Sequence, residues 1–101
     1  MKIRAGKNEK NNGSPYPMYV KLNTGEKLLY RELVAHEKLI IEDNIFFGIK
    51  NGYPEDEIEQ YKREAYAQLK ALKTSIRENP DILLMLDRQT ERYMPAAIVI
   101  K

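Results

Sequence analysis

The sequence predicts a small α+β domain, and three patterns predict it. The run from Glu55 to Glu78 holds neither glycine nor proline and repeats apolar side chains at steps of three and four, the signature of a helix with one buried face. Residues 16–22 alternate instead, with Tyr16, Met18, Val20 and Leu22 on one side and Pro17, Tyr19 and Lys21 on the other, as a half-buried strand does. Turn signals such as Asn23-Thr24-Gly25-Glu26 and Asn79-Pro80-Asp81 then cut the rest into short pieces. The expected architecture is a small mixed or antiparallel sheet, with hairpins near 16–33 and 39–50 and a C-terminal strand at 96–100, packed against a long helix 55–78 and a shorter helix 80–92.

The N-terminal stretch 1–15 offers little to a core. Lys2, Arg4, Lys7 and Lys10 make it basic, and Asn11 to Pro15 is the strongest turn or disorder signal in the chain, so it reads as a flexible basic arm ahead of one globular domain, 16–101. The rival reading is a short edge strand, from the alternation of Met1, Ile3 and Ala5. Pro17 puts the 16–22 strand at an edge or near its own beginning. After the turn at 23–26, Lys27 to Leu33 returns as the second strand.

Residues 28–43 admit two readings. Leu29, Leu33, His36 and Ile40 fall at helical spacing, while Tyr30 and the preceding turn favour a strand. The combination adopted is strand to about Arg31, then a short helix to about Lys38 with Glu32, Glu37 and Lys38 exposed. Leu39–Glu42 and Ile45–Ile49 then pair around Glu42-Asp43-Asn44, because Ile45, Phe46, Phe47 and Ile49 favour strands. This hairpin carries both phenylalanines into the core, and Gly48 marks a bulge or a close backbone approach.

Pro54 suits the first position of the long helix, and Glu55, Asp56 and Glu57 complement the positive end of its dipole. Its stripe is Ile58, Tyr61, Ala65, Leu69, Leu72 and Ile76. At 1.5 Å per residue the rod is about 36 Å long. Asn79 as cap and Pro80 at the first position open the next helix, whose run Ile82–Leu86 is apolar on more than one face and so is buried on two sides or by a partner. Met94-Pro95 ends it, and Ala96–Ile100 is the last strand.

The chemistry-bearing residues are sparse. With no cysteine, disulfides, thiolate ligands and thiol nucleophiles are excluded. His36 stands alone and reads as an ordinary, partly exposed histidine, notable only because histidine is the side-chain type suited to acid–base roles near neutral pH. Glu55, Asp56, Glu57 and Glu59 have a structural cause at a helix start, and consecutive helical positions diverge, so they do not make a metal site. No glycine-rich phosphate loop or nucleophile motif is present. No catalytic residue, metal or cofactor is therefore expected, and the chain reads as non-enzymatic.

No apolar run is long enough to span a membrane and no signal-peptide core follows Lys2 and Arg4, which suits a cytoplasmic protein. The expected function is that of an interaction or accessory protein, an adaptor of phage or mobile-element character, binding a macromolecular partner. The surplus of helical apolar surface suggests a homodimer. Tyrosine is the enriched aromatic; Tyr19, Tyr66, Met85 and Tyr93 are the candidate partner contacts. The alternative is a nucleic-acid binder. It uses Lys2, Arg4, Lys7 and Lys10 of the arm with Lys62, Arg63, Lys70, Lys73 and Arg77, which lie off the apolar stripe of the long helix. A net charge of +2 does not by itself require such a partner, but the charges are segregated: residues 39–60 hold six acidic side chains and one basic.

Overall fold

A computed structural model of the chain describes residues 15–96. Six elements follow in order: β1 (Tyr19–Leu22), β2 (Lys27–Leu29), α1 (Tyr30–Lys50), α2 (Glu55–Glu78), β3 (Leu83–Asp87) and β4 (Arg92–Pro95). They form a four-stranded sheet of order β2-β1-β3-β4 with two helices packed on it. The sheet is mixed: β1 pairs antiparallel with β2 and β3 with β4, whereas β1 and β3 run parallel, Lys21 opposite Leu83 and Leu22 opposite Leu84. The α+β class, the 55–78 helix and a first hairpin within 16–33 are as the sequence predicts.

The first turn forms where expected. Gly25 takes φ +95°, a left-handed conformation that costs a side-chain-bearing residue about 1–2 kcal/mol, and Leu22 N–H donates to Glu26 O across it. The returning strand is only three residues long. It passes straight into α1, whose first residue, Tyr30, donates its N–H to Met18 O of the neighbouring chain segment.

Two expectations fail. Residues 39–50 are not a hairpin but the second half of α1, a continuous 21-residue helix. The reason is packing: Leu33, Glu37 and Ile41, at steps of four, are fully buried, and Ile45 continues the row against α2. Strand propensity is a surface-fitting preference that tertiary contacts override. Both phenylalanines, expected in the core, are nearly two-thirds exposed, and Gly48 is helical, not a strand bulge. Conversely, 80–92 is not a helix. Asn79-Pro80-Asp81-Ile82 is a turn, closed by Ile82 N–H to Asn79 O, and Leu83–Asp87 is a strand. Asparagine and proline open turns as readily as helices, and a five-residue apolar run between turn signals fits a strand equally well. The 96–100 strand and the 1–15 arm fall outside the described residues except for Ala96, which bonds to Leu83 O, and Pro15, which is exposed.

The helices meet through the stripe on α2. Near the sheet, Leu72 and Ile76 join Val20, Leu33 and Leu84 in one cluster; farther out, Ala65 and Leu69 join Ile41 in a second made by the helices alone. Pro54 caps α2 in an extended conformation, one place earlier than expected. Between the helices, Gly52 at φ +78° donates to Ile49 O and Tyr53 N–H donates to Gly48 O. These paired bonds, with Tyr53 folded back on Gly48, end α1 in a Schellman motif.

Candidate functional site

At 1.5 Å per residue α1 and α2 run about 31 and 36 Å, whereas strands of three to five residues span at most about 17 Å. The far end of the helical hairpin therefore has no sheet beneath it. The large apolar side chains there are bare: Phe46, Phe47, Ile49 and Tyr53 are 60–64 % exposed, and Leu39, farther back on α1, is 55 % exposed. Phe47 and Tyr53 border a hollow of about 340 Å³ floored by Ile45, Gly48 and Ile58. On the solvent side of α1, the exposed positions Ala35, Leu39, Glu42, Phe46 and Ile49 repeat at steps of four and three, the spacing of a helix–helix seam. None of these apolar residues is among the partner contacts expected from the sequence. The visible signal is that 39–50, read as helix, is too apolar for a single buried stripe.

The opposite end holds a polar lock. The fully buried Glu37 carboxylate accepts Arg92 Nε–H at 2.5 Å and the Tyr93 backbone N–H at 2.8 Å. In the β3–β4 ladder Arg92 and Met94 turn their backbone groups inward, so Tyr93 N–H belongs to the outer edge of β4. Glu37 caps that donor, and the next outward position is Pro95, which has none. The β4 edge is thus closed to strand addition. Glu37, expected on an exposed face, is the missed residue here.

Beside the lock lies a groove of about 740 Å³ between α1, α2 and β4, lined by Asn44, Gln68, Ser75, Gln89 and Thr90 among others. Its two strongest charges, Glu37 and Arg92, neutralise each other. Asp87 at its rim accepts Thr90 Oγ–H at 2.7 Å and Thr90 N–H, and these bonds hold its carboxyl below the ordinary range. His36 is half-buried; its Nε2–H donates to Glu91 O at 2.6 Å and its ring meets Tyr93 edge-on. Among the described residues no group of three or more His, Asp or Glu is placed to hold a metal ion, and no helix is long and apolar enough to cross a membrane.

The expected partner contacts scatter. Tyr19 is half exposed, and by strand alternation it shares the outer sheet face with Met85, beside Leu83 and Met94. Tyr66 packs on the Ile41–Ala65–Leu69 cluster and Tyr93 on the sheet-side core, so both are partly structural. The basic candidates of α2 are better gathered. Lys62, Arg63, Lys70 and Arg77 are exposed and Lys73 is half-buried. The five span about 100° of the helix, and among the described residues none makes an ion pair. Lys2, Arg4, Lys7 and Lys10 lie outside the described residues. No protein-family model, curated protein or solved structure matches the chain.

Proposed function

We propose that the chain is a non-enzymatic binding domain, an accessory protein that acts by holding a macromolecular protein partner against the far end of its helical hairpin. The observation that carries this reading is the exposure of Phe46, Phe47, Ile49 and Tyr53 at that end, with Leu39 farther back on α1. Phe46, Phe47, Ile49 and Tyr53 are the most exposed large apolar side chains among the described residues, and bare apolar surface of this kind marks interaction sites. The α2 stripe gives no such argument for self-pairing, since α1 and the sheet cover it.

The test is photo-crosslinking of the full chain in the cells that produce it, with a photoreactive phenylalanine analogue at position 46. A discrete adduct that survives nuclease is the expected result; absence of any adduct from position 46 overturns the reading. A second reading, nucleic-acid binding, is favoured by the five cations on α2, which make no ion pair among the described residues. It predicts a nuclease-sensitive adduct from position 62 and binding to DNA or RNA that falls steeply with salt.

A further inference from the structure

We infer that the hollow between Phe47 and Tyr53 is a cage for a methylated ammonium group, carried on a lysine side chain of the protein partner. This deepens the binding reading above and rests on it. The aromatic walls, the single charge, the carbon floor and the open side of the hollow carry the inference.

The walls are aromatic, and the fold sets them in place. Phe47 stands on the last turn of α1, Tyr53 in the turn that follows and Tyr61 on α2, and all three line the hollow. Tyr53 N–H donates to Gly48 O at 3.0 Å, which folds Tyr53 back beside Gly48. Tyr61 is held by Asn44, whose side-chain N–H donates to the Tyr61 hydroxyl oxygen at 2.8 Å. Gly48 keeps the floor low, since a Cβ there would stand 3.5 Å from Ile58 Cγ1 and 4.0 Å from Tyr53 Cβ. Aromatic rings attract a cation to the negative faces of their π-systems. Walls fixed before binding lose little entropy when they take one up.

The charge sets the sign of the guest. Glu57 is the only charged side chain among the described residues that line the hollow. It is exposed and makes no ion pair among the described residues. A cation is drawn to this carboxylate, whereas a phosphate or a second carboxylate is repelled.

The floor sets the substituents. The side chains of Ile45 and Ile58 offer carbon and no hydrogen-bond acceptor, and Gly48 has no side chain. A bare ammonium carries three N–H donors and is strongly hydrated, so seating it on this floor leaves donors unmet. A trimethylated nitrogen has no N–H, and its methyl groups lose water against the isoleucines.

The open side sets the source. Phe47 and Tyr53 are 63 % and 60 % exposed. Sites for free small molecules bury most of their ligand, and these walls leave one side uncovered. A side chain carried on a partner brings its own cover, because the surface it stands on closes over both rings.

Three synthetic peptides, identical except at one side chain, test this against the full chain by NMR titration. That side chain is trimethyl-lysine in the first and lysine in the second. In the third it is the uncharged analogue with carbon in place of the nitrogen. Free choline is the fourth probe. The trimethyl-lysine peptide is expected to bind about threefold or more tighter than each of the others, shifting the backbone amides of Phe47, Gly48, Tyr53 and Glu57. Tyr53→Leu and Glu57→Gln are each expected to weaken it by about threefold or more while leaving the uncharged peptide unchanged. Both side chains are exposed, so the circular dichroism spectrum is expected to stay the same.

Equal binding of the charged and uncharged peptides overturns the cage, and equal binding of lysine and trimethyl-lysine overturns the methylated guest. Choline bound as tightly as the trimethyl-lysine peptide overturns the protein-borne source in favour of a free ammonium compound. Binding indifferent to both variants, or no shift of those amides by any probe, overturns the site. The crosslink from position 46 judges the binding reading separately in every case.

Discussion

Among the described residues the buried Glu37 carboxylate has Arg92 and the Tyr93 N–H in place of water. Removing it strands a largely buried guanidinium and an edge amide together, so Glu37→Leu is expected to lower the unfolding free energy by about 3 kcal/mol, measured by urea denaturation. Arg92→Met in the same background should recover part of that loss, and the unpaired Tyr93 N–H accounts for the remainder. Tyr30 makes a contrasting case. Its hydroxyl is buried without a hydrogen-bond partner among the described residues, and burial, with the stacked Tyr16 4.8 Å away adding to it, pushes its pKa up to about 12. The neutral form is the one the fold favours. Its contribution to stability is therefore complete below the ordinary tyrosine pKa of 10 and is lost as the pH rises from there towards 12. Tyr30→Phe keeps the ring and removes the orphaned hydroxyl, and should flatten the loss of stability over that alkaline window in urea titrations.

At the scale of elements, the C-terminal end of α1 divides two glycines that look alike in the sequence. A Cβ at Gly48 meets Ile58 Cγ1 at 3.5 Å and Tyr53 Cβ at 4.0 Å, ordinary packing distances, and the residue is helical, in the last turn of α1. Gly48→Ala is expected to stabilise by about 0.5–1 kcal/mol. Gly52 has open space around it but sits at φ +78°, so Gly52→Ala is expected to cost about 1–2 kcal/mol; thermal unfolding of both variants compares them. The same contrast explains what was legible. The α2 helix could be read because its breakers, acidic first turn and single stripe agree. α1 could not, because its apolar residues serve two faces and its periodicity is blurred, and because β2 enters it with no loop between. The 83–87 strand was hidden by Asn79-Pro80-Asp81, whose residues mark a turn and a helix start equally well. The exposed hairpin end was hidden with α1, since phenylalanines assigned to a core cannot also be read as surface.

Taken whole, the molecule keeps its sheet at one end of the helical hairpin and its most exposed apolar side chains towards the other, while Met18, Tyr19, Leu83, Leu86 and Met94 at the sheet are each less than half exposed. Charge follows the same axis: six carboxylates crowd residues 39–60, and five cations line α2 from Lys62 to Arg77. Glu37 and Pro95 close the β4 edge of the sheet, so of its two edge strands only β2 presents an open edge. The parallel pairing of β1 with β3 has a separate consequence, in time rather than in space. Lys21 and Leu83 are about sixty residues apart in the chain, and a ribosome adding ~5–20 residues per second needs roughly 3–12 s to make that stretch. For those seconds the first hairpin waits with its central strand open on one side, while the helical hairpin, whose contacts are nearer in sequence, has time to close. The last strands then arrive as the piece that completes a sheet begun at the other end of the chain, so any pause in translation before residue 83 prolongs the exposure of the hairpin made first.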